Sequence, residues 1–172
     1  MGRSASAGVE VFADLRADVG EAPHWDGRTR TLLFVDLTGG MVFRYGQSGV
    51  RLGSFSVGQE VGAVIPRRGG GLVLAVRDGI AVATESGQDL EVAAPVERDI
   101  LGNRMNDAKC DPAGRLLAGT MAFDASLHSA ALYVTSAAYR RSADQLKKEP
   151  HAGATFICRP GAEGMPASSF AG

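Results

Sequence analysis

Residues 111–120, DPAGRLLAGT, set a Pro-Gly turn ahead of an apolar run, and the same arrangement recurs at 27–36, GRTRTLLFVD, and at 67–76, RRGGGLVLAV. Each unit opens on basic or Gly-rich turn chemistry and continues into a run short enough to be a strand. A second apolar run follows each unit: MVFRY at 41–45, IAVATE at 80–85 and ALYVT at 131–135. Aligned on Leu32, Leu72 and Leu116, the units lie 40 and 44 residues apart. A period of roughly 40 to 45 residues is that of a four-stranded propeller blade. One blade cannot bury both of its faces, so blades stack radially around a central channel. Three unrelated hairpins in a β-sandwich are the competing arrangement.

The rest of the chain agrees with an all-β reading. Turn signals at Asp26-Gly27, Gly39-Gly40, Ser48-Gly49, Gly69 to Gly71, Asp78-Gly79 and Ser86-Gly87 punctuate it, and 23 glycines leave few helical periods. Residues 142–149, SADQLKKE, form the best helical candidate, a solvated turn of helix. With 172 residues the expectation is a single β-propeller domain over 1–172.

Composition narrows the partners. Eighteen Lys and Arg against 19 Asp and Glu leave a net charge of -1, too little field for nucleic acid or an anionic membrane, so a small neutral ligand fits better. Cys110 and Cys158 have neither metal-site spacing nor the density of a disulfide scaffold, which points to buried thiols in a reducing cytoplasm. The first eight residues, MGRSASAG, lack a signal-peptide apolar region, and no stretch reaches the roughly 20 apolar residues of a membrane span. A soluble, cytoplasmic protein is expected.

Two polar stretches carry the chemistry. In NRMNDAKC at 103–110, Arg104 and Asn106 stand two apart, so an extended backbone turns both to one side. A guanidinium fork beside a carboxamide suits the hydroxyls and carbonyl of a polyhydroxylated ring. A loop whose Asn and Asp bond their own backbone is the alternative, and Asp107 reads as such a turn residue, with Lys109 reaching outward. In GEAPHW at 20–25, Glu21 stands just ahead of an expected strand, where a carboxylate can offer a hard oxygen to a metal in the channel; a surface glutamate beside a turn is the plainer reading. His24 and His128 lack partners at ligand spacing and read as loop histidines, and Trp25 reads as a packing plug. No G-x-S-x-G elbow, phosphate loop or zinc motif is present.

NRMND, GEAPHW and LLFVDL at 32–37 together resemble the family of regucalcin, senescence marker protein, gluconolactonase and luciferin-regenerating enzyme. The resemblance implies a six-bladed β-propeller that hydrolyses sugar lactones with a divalent metal, calcium, zinc or manganese. By the same resemblance Glu21 is a metal ligand, Arg104 and Asn106 contact substrate, and Asp124 stands where the family places an acidic, often glutamate, substrate contact. The metal would polarise the lactone carbonyl while an aspartate activates water.

The resemblance is interrupted. Residues 9–131 resemble the family's N-terminal half, joined near 131–134 to a segment, 134–172, that resembles its C-terminal end down to the final FAG. Six blades require roughly 240 to 270 residues, and 172 supply about four. An internal deletion and a genuine four-bladed ring are the two accounts. The family's other two metal ligands, an asparagine and the aspartate that serves as base, come from the central blades and find no match. The expectation is therefore a metal-dependent, gluconolactonase-like hydrolase in shortened form, its metal held weakly if at all. The alternative is an inactive propeller fragment that binds a small molecule or a protein, and open blade edges would let copies self-associate.

Overall fold

The computed structural model describes residues 9–123, 147 and 155–158. The strands are β1 (Val9–Ala13), β2 (Gly20–Asp26), β3 (Thr31–Asp36), β4 (Met41–Gly46), β5 (Arg51–Ser56), β6 (Val61–Pro66), β7 (Leu72–Val76), β8 (Gly79–Ala83), β9 (Glu91–Pro95), β10 (Asn103–Cys110), β11 (Leu116–Ala122) and β12 (Thr155–Cys158). They make two four-stranded antiparallel sheets, β2-β3-β4-β5 and β6-β7-β8-β9, and two-stranded sheets β10-β11 and β1-β12. Asp124, His128, the second apolar run at 131–135 and the junction at 131–134 lie outside the described residues, as does 142–149 apart from Lys147.

The repeat read from the sequence is a repeat of structure. Leu32, Leu72 and Leu116 fall on β3, β7 and β11, the second strand of three successive sheets. Alternation along β3 sends Leu33 and Val35 into one core with Val61, Val64 and Ile65 of β6, and Phe34 into another with Phe43, Tyr45 and Ala13. Phe34 lies 5.3 Å from the Phe43 ring and 5.5 Å from the Tyr45 ring, centroid to centroid. Each such fully buried side chain contributes about 1.5 to 3 kcal/mol of transfer free energy. The first sheet is thus covered on both faces, as a blade must be. Burial falls outward, from a wholly buried β6 and β7 to exposed β5 and β9. The third sheet is different: Leu117 is 63% exposed, whereas the equivalent Leu33 and Val73 are 0% and 2% exposed.

Two polar joints fix the sheets. The Asp36 carboxylate, at the end of β3, accepts from the backbone N–H groups of Asp18 and Val19, both at 3.0 Å, and so anchors the entry to β2. Glu85 accepts from Arg28 at 2.9 Å and also from Arg44, tying the second sheet to the first beyond the far end of β2.

The inner strands share one irregularity, and it shapes the site. Between Glu21 and His24 β2 advances three residues while β3 advances two, from Val35 to Leu33. β6 slips likewise between Val61 and Ala63, and β10 between Met105 and Ala108. A one-residue bulge bends the strand and re-aims the side chains beside it. Because Gly20, Val61 and Met105 pair with Asp36, Val76 and Thr120, the residues that follow them, Glu21, Gly62 and Asn106, occupy equivalent positions.

Candidate functional site

Glu21 lies within β2, not ahead of a strand as the sequence suggested, and Arg104 and Asn106 lie within β10. The polar content of these strands and Pro23 hide them from a period-of-two reading. The bulge tolerates Pro23, which has no N–H to give the ladder. It also holds Ala22 at φ 50, a left-handed conformation costly for a residue with a Cβ. Strain of this kind persists where surrounding structure enforces it, here directly beside Glu21.

Arg104 is buried, 7% exposed, and one guanidinium nitrogen, Nη1, donates to the Met105 carbonyl at 2.9 Å and to Asn106 Oδ1 at 3.2 Å. The pair therefore shares one side, and the guanidinium fixes which way the carboxamide points. Burial lowers the Arg104 pKa from its ordinary value, opposed by Glu21 and Glu60. Glu60, just ahead of β6 in the position equivalent to Arg104, carried no sequence signal of its own.

Glu21 is half-buried and makes no hydrogen bond among the described residues. Burial raises its pKa, Arg104 pulls it back, Asp107 raises it and Lys109 lowers it, and the net direction is up. Those groups sit on β10, so β2 and β10 converge on one charged cluster. Asp107 accepts from the Ala108 N–H at 2.8 Å and pairs with Lys109 at 3.6 Å, and both are half-exposed. The local backbone bond expected of Asp107 is thus present, in a bulge instead of a loop. His24 is no loop residue either: it lies on β2, 8% exposed, its pKa lowered by burial and by Lys109 against the pull of Asp26. Trp25 is 39% exposed and so is not a buried plug.

Among the described residues no three His, Cys, Asp or Glu side chains are placed to hold a metal, so Glu21 stands there without the rest of a ligand set. Two shallow clefts of about 580 and 280 Å³ lie elsewhere, against Arg67 and Thr84 and against Arg44 and Phe55, and neither includes Glu21, Arg104 or Asn106. Among the described residues no helix is long and apolar enough to cross a membrane.

Residues 19–152 match the model of the SMP-30/Gluconolactonase/LRE-like region. The chain belongs to this family. It is 40% identical to regucalcin of Xenopus laevis over 113 residues, 66% of this chain and 38% of the relative, and 34% identical to human regucalcin over 130 residues, 73% and 44%. Its fold is similar to that of a luciferin-regenerating enzyme, with a TM-score of 0.65 at 37% identity over 71% of this chain and 42% of that one. A calcium-binding regucalcin from Agrobacterium tumefaciens gives a TM-score of 0.64 at 23% identity over 70% and 41%, a likeness of fold alone. The fold is that of a partial β-propeller of this family. The chain spans less than half the length of the relatives it matches.

The raised pKa of Glu21 has a consequence for stability. A carboxyl whose folded pKa lies above its unfolded value adds stability that is fully present below the unfolded value and is lost as pH rises through the folded one. At neutral pH the ionised Glu21 therefore weighs against folding. Glu21→Gln is expected to melt at a higher temperature than the parent at pH 7, and the two should approach each other toward pH 4. Thermal melts across that range check it; a Glu21→Gln chain that melts lower at pH 7 would mean that Arg104 and Lys109 outweigh burial.

Proposed function

We propose that this chain carries a sugar-lactone site of the gluconolactonase kind, with Arg104, Asn106 and Asp124 on the ligand and Glu21 as one ligand of a divalent metal, and that it holds the sugar far better than it turns it over. The observation that supports this most directly is the Arg104–Asn106 pair: Nη1 is spent on orienting the carboxamide, while Nε and Nη2 make no hydrogen bond among the described residues. No buried side-chain nitrogen or oxygen there lacks a partner, so these donors reach open space. Donors held in advance on a buried strand can meet ring hydroxyls or a carbonyl without reorganising. Membership of the family supports the ligand class, and the unmatched ligands argue against a complete metal centre. Glu21 alone does not make a metal centre among the described residues.

The second reading, a propeller fragment that binds without catalysis, is favoured by the absence of a ligand trio among the described residues. The exposed Leu117 face supports the further reading that copies associate through the third sheet, and a strictly monomeric light-scattering mass would dismiss it. For the site itself, Arg104→Met should weaken binding of glucono-δ-lactone or gluconate by roughly 10- to 100-fold, the loss of a charge-assisted hydrogen bond. Asn106→Ala should act in the same direction. Calorimetric titration measures both, and unchanged affinity in the two variants would remove the ligand from this site.

A further inference from the structure

We propose that His24 is a ligand-facing residue of this site, its imidazole reading a hydroxyl of a sugar acid held by Arg104 and Asn106; the proposal rests on the site reading above and adds a specificity contact to it. The register supplies the geometry. His24, Ile65 and Lys109 pair with Leu33, Val73 and Leu117, so they are equivalent positions of the three inner strands, three residues beyond the equivalent set of Glu21, Gly62 and Asn106. The inner strands therefore carry two tiers of side chains. The upper holds a carboxylate, a gap and a carboxamide. The lower holds an imidazole, an isoleucine and an ammonium.

His24 is more than nine-tenths buried, yet its ring makes no hydrogen bond among the described residues. Since no fully buried side-chain nitrogen there goes without a partner, the ring nitrogens are the part of His24 that still reaches open space. An imidazole whose body is buried while its nitrogens stay open presents them to whatever enters that space, water or a ligand hydroxyl. The charged groups around it are Lys109 on β10 and Asp26 on its own strand, and burial together with Lys109 keeps the ring neutral. A neutral imidazole offers one donor and one acceptor, which a hydroxyl can use at once. Lys109 is linked to both tiers, since its charge also bears on Glu21.

The test uses the full chain and sodium gluconate. The three histidines are followed by carbon-edited NMR, and His24→Gln identifies the His24 ring signal. Adding gluconate should shift that signal, His24→Leu should weaken binding roughly 3- to 10-fold, and His24→Gln should recover part of the loss because a carboxamide also donates and accepts. If gluconate binds in an Arg104-dependent way while the His24 signal stays still, or if His24→Leu binds as tightly as the parent, His24 faces no ligand and the proposal fails alone. If the parent chain does not bind gluconate, the site reading fails first and takes this one with it. Should His24→Leu not fold, the parent's own ring signal decides.

Discussion

Gly62→Ala is expected to cost about 3 kcal/mol of stability and to abolish sugar-acid binding. A Cβ built on Gly62 would lie 1.9 Å from the carbonyl oxygen of Asn106, 2.7 Å from its carbon and 3.1 Å from its Cα. These are backbone atoms of β10, so no side chain can rotate out of the way. Either β6 and β10 separate or the bulge in β10 is rebuilt, and both displace Asn106 and with it the Arg104 guanidinium that donates to it. The conformation of Gly62 is not left-handed, so the cost comes from close approach and not from backbone strain. Gly53→Ala is the control, because nothing lies within 4 Å of its Cβ on an exposed outer strand. It should stay within about 0.5 kcal/mol of the parent. Denaturant melts would read the difference as a lowered midpoint at constant slope. Equal midpoints for the two variants would mean that β10 does not pack on β6 as described.

What the sequence disclosed follows from which strands have simple environments. β3, β4, β7, β8 and β11 stand out because apolar runs sit between Gly-rich turns. β5, RLGSFS, turns only Phe55 partly onto the core and leaves the rest exposed, so no alternation marks it. β2 and β10 are hidden for the opposite reason: they carry the polar candidate residues, and the bulges beside Glu21 and Asn106 also break the period of two. The Arg104–Asn106 pairing was legible because a spacing of two needs only an extended backbone. His24 was not, because the burial of its ring, and the charge of Lys109 on β10 that acts in the same direction, arise only once distant parts of the chain are packed together. Its own neighbours, Pro23 and Trp25, give no hint of that. Gly62 was equally silent, since a missing side chain carries meaning only once the strand it admits is known.

Hydrolysis of a sugar lactone by this chain is expected to be more than 100-fold slower than by an intact gluconolactonase measured beside it, and calcium, manganese or zinc is expected to bind weakly. Losing a residue that merely supports a metal ligand lowers affinity or activity by about 10- to 100-fold. Here two ligands themselves, the asparagine and aspartate that the resemblance assigns to the central blades, have no counterpart. Calcium takes about six to eight oxygens, and Glu21 offers one carboxylate. Asp107 does not make up the deficit: it is paired with Lys109 at 3.6 Å and bonded to the Ala108 N–H, and its negative charge makes Glu21 harder to ionise. A bound cation would offset that repulsion, and this is why Glu21→Ala is the decisive variant. If Glu21 is the remnant of a metal site, the substitution should remove what little metal binding the chain has while leaving Arg104-dependent gluconate binding within a few-fold of the parent. Calorimetric titration with each cation and a lactonase assay on the same sample separate the outcomes. Micromolar calcium binding, with turnover that disappears in Glu21→Ala, would mean that the chain completes its ligand set from residues beyond those described or from a second copy, and the shortened-site account would have to be given up.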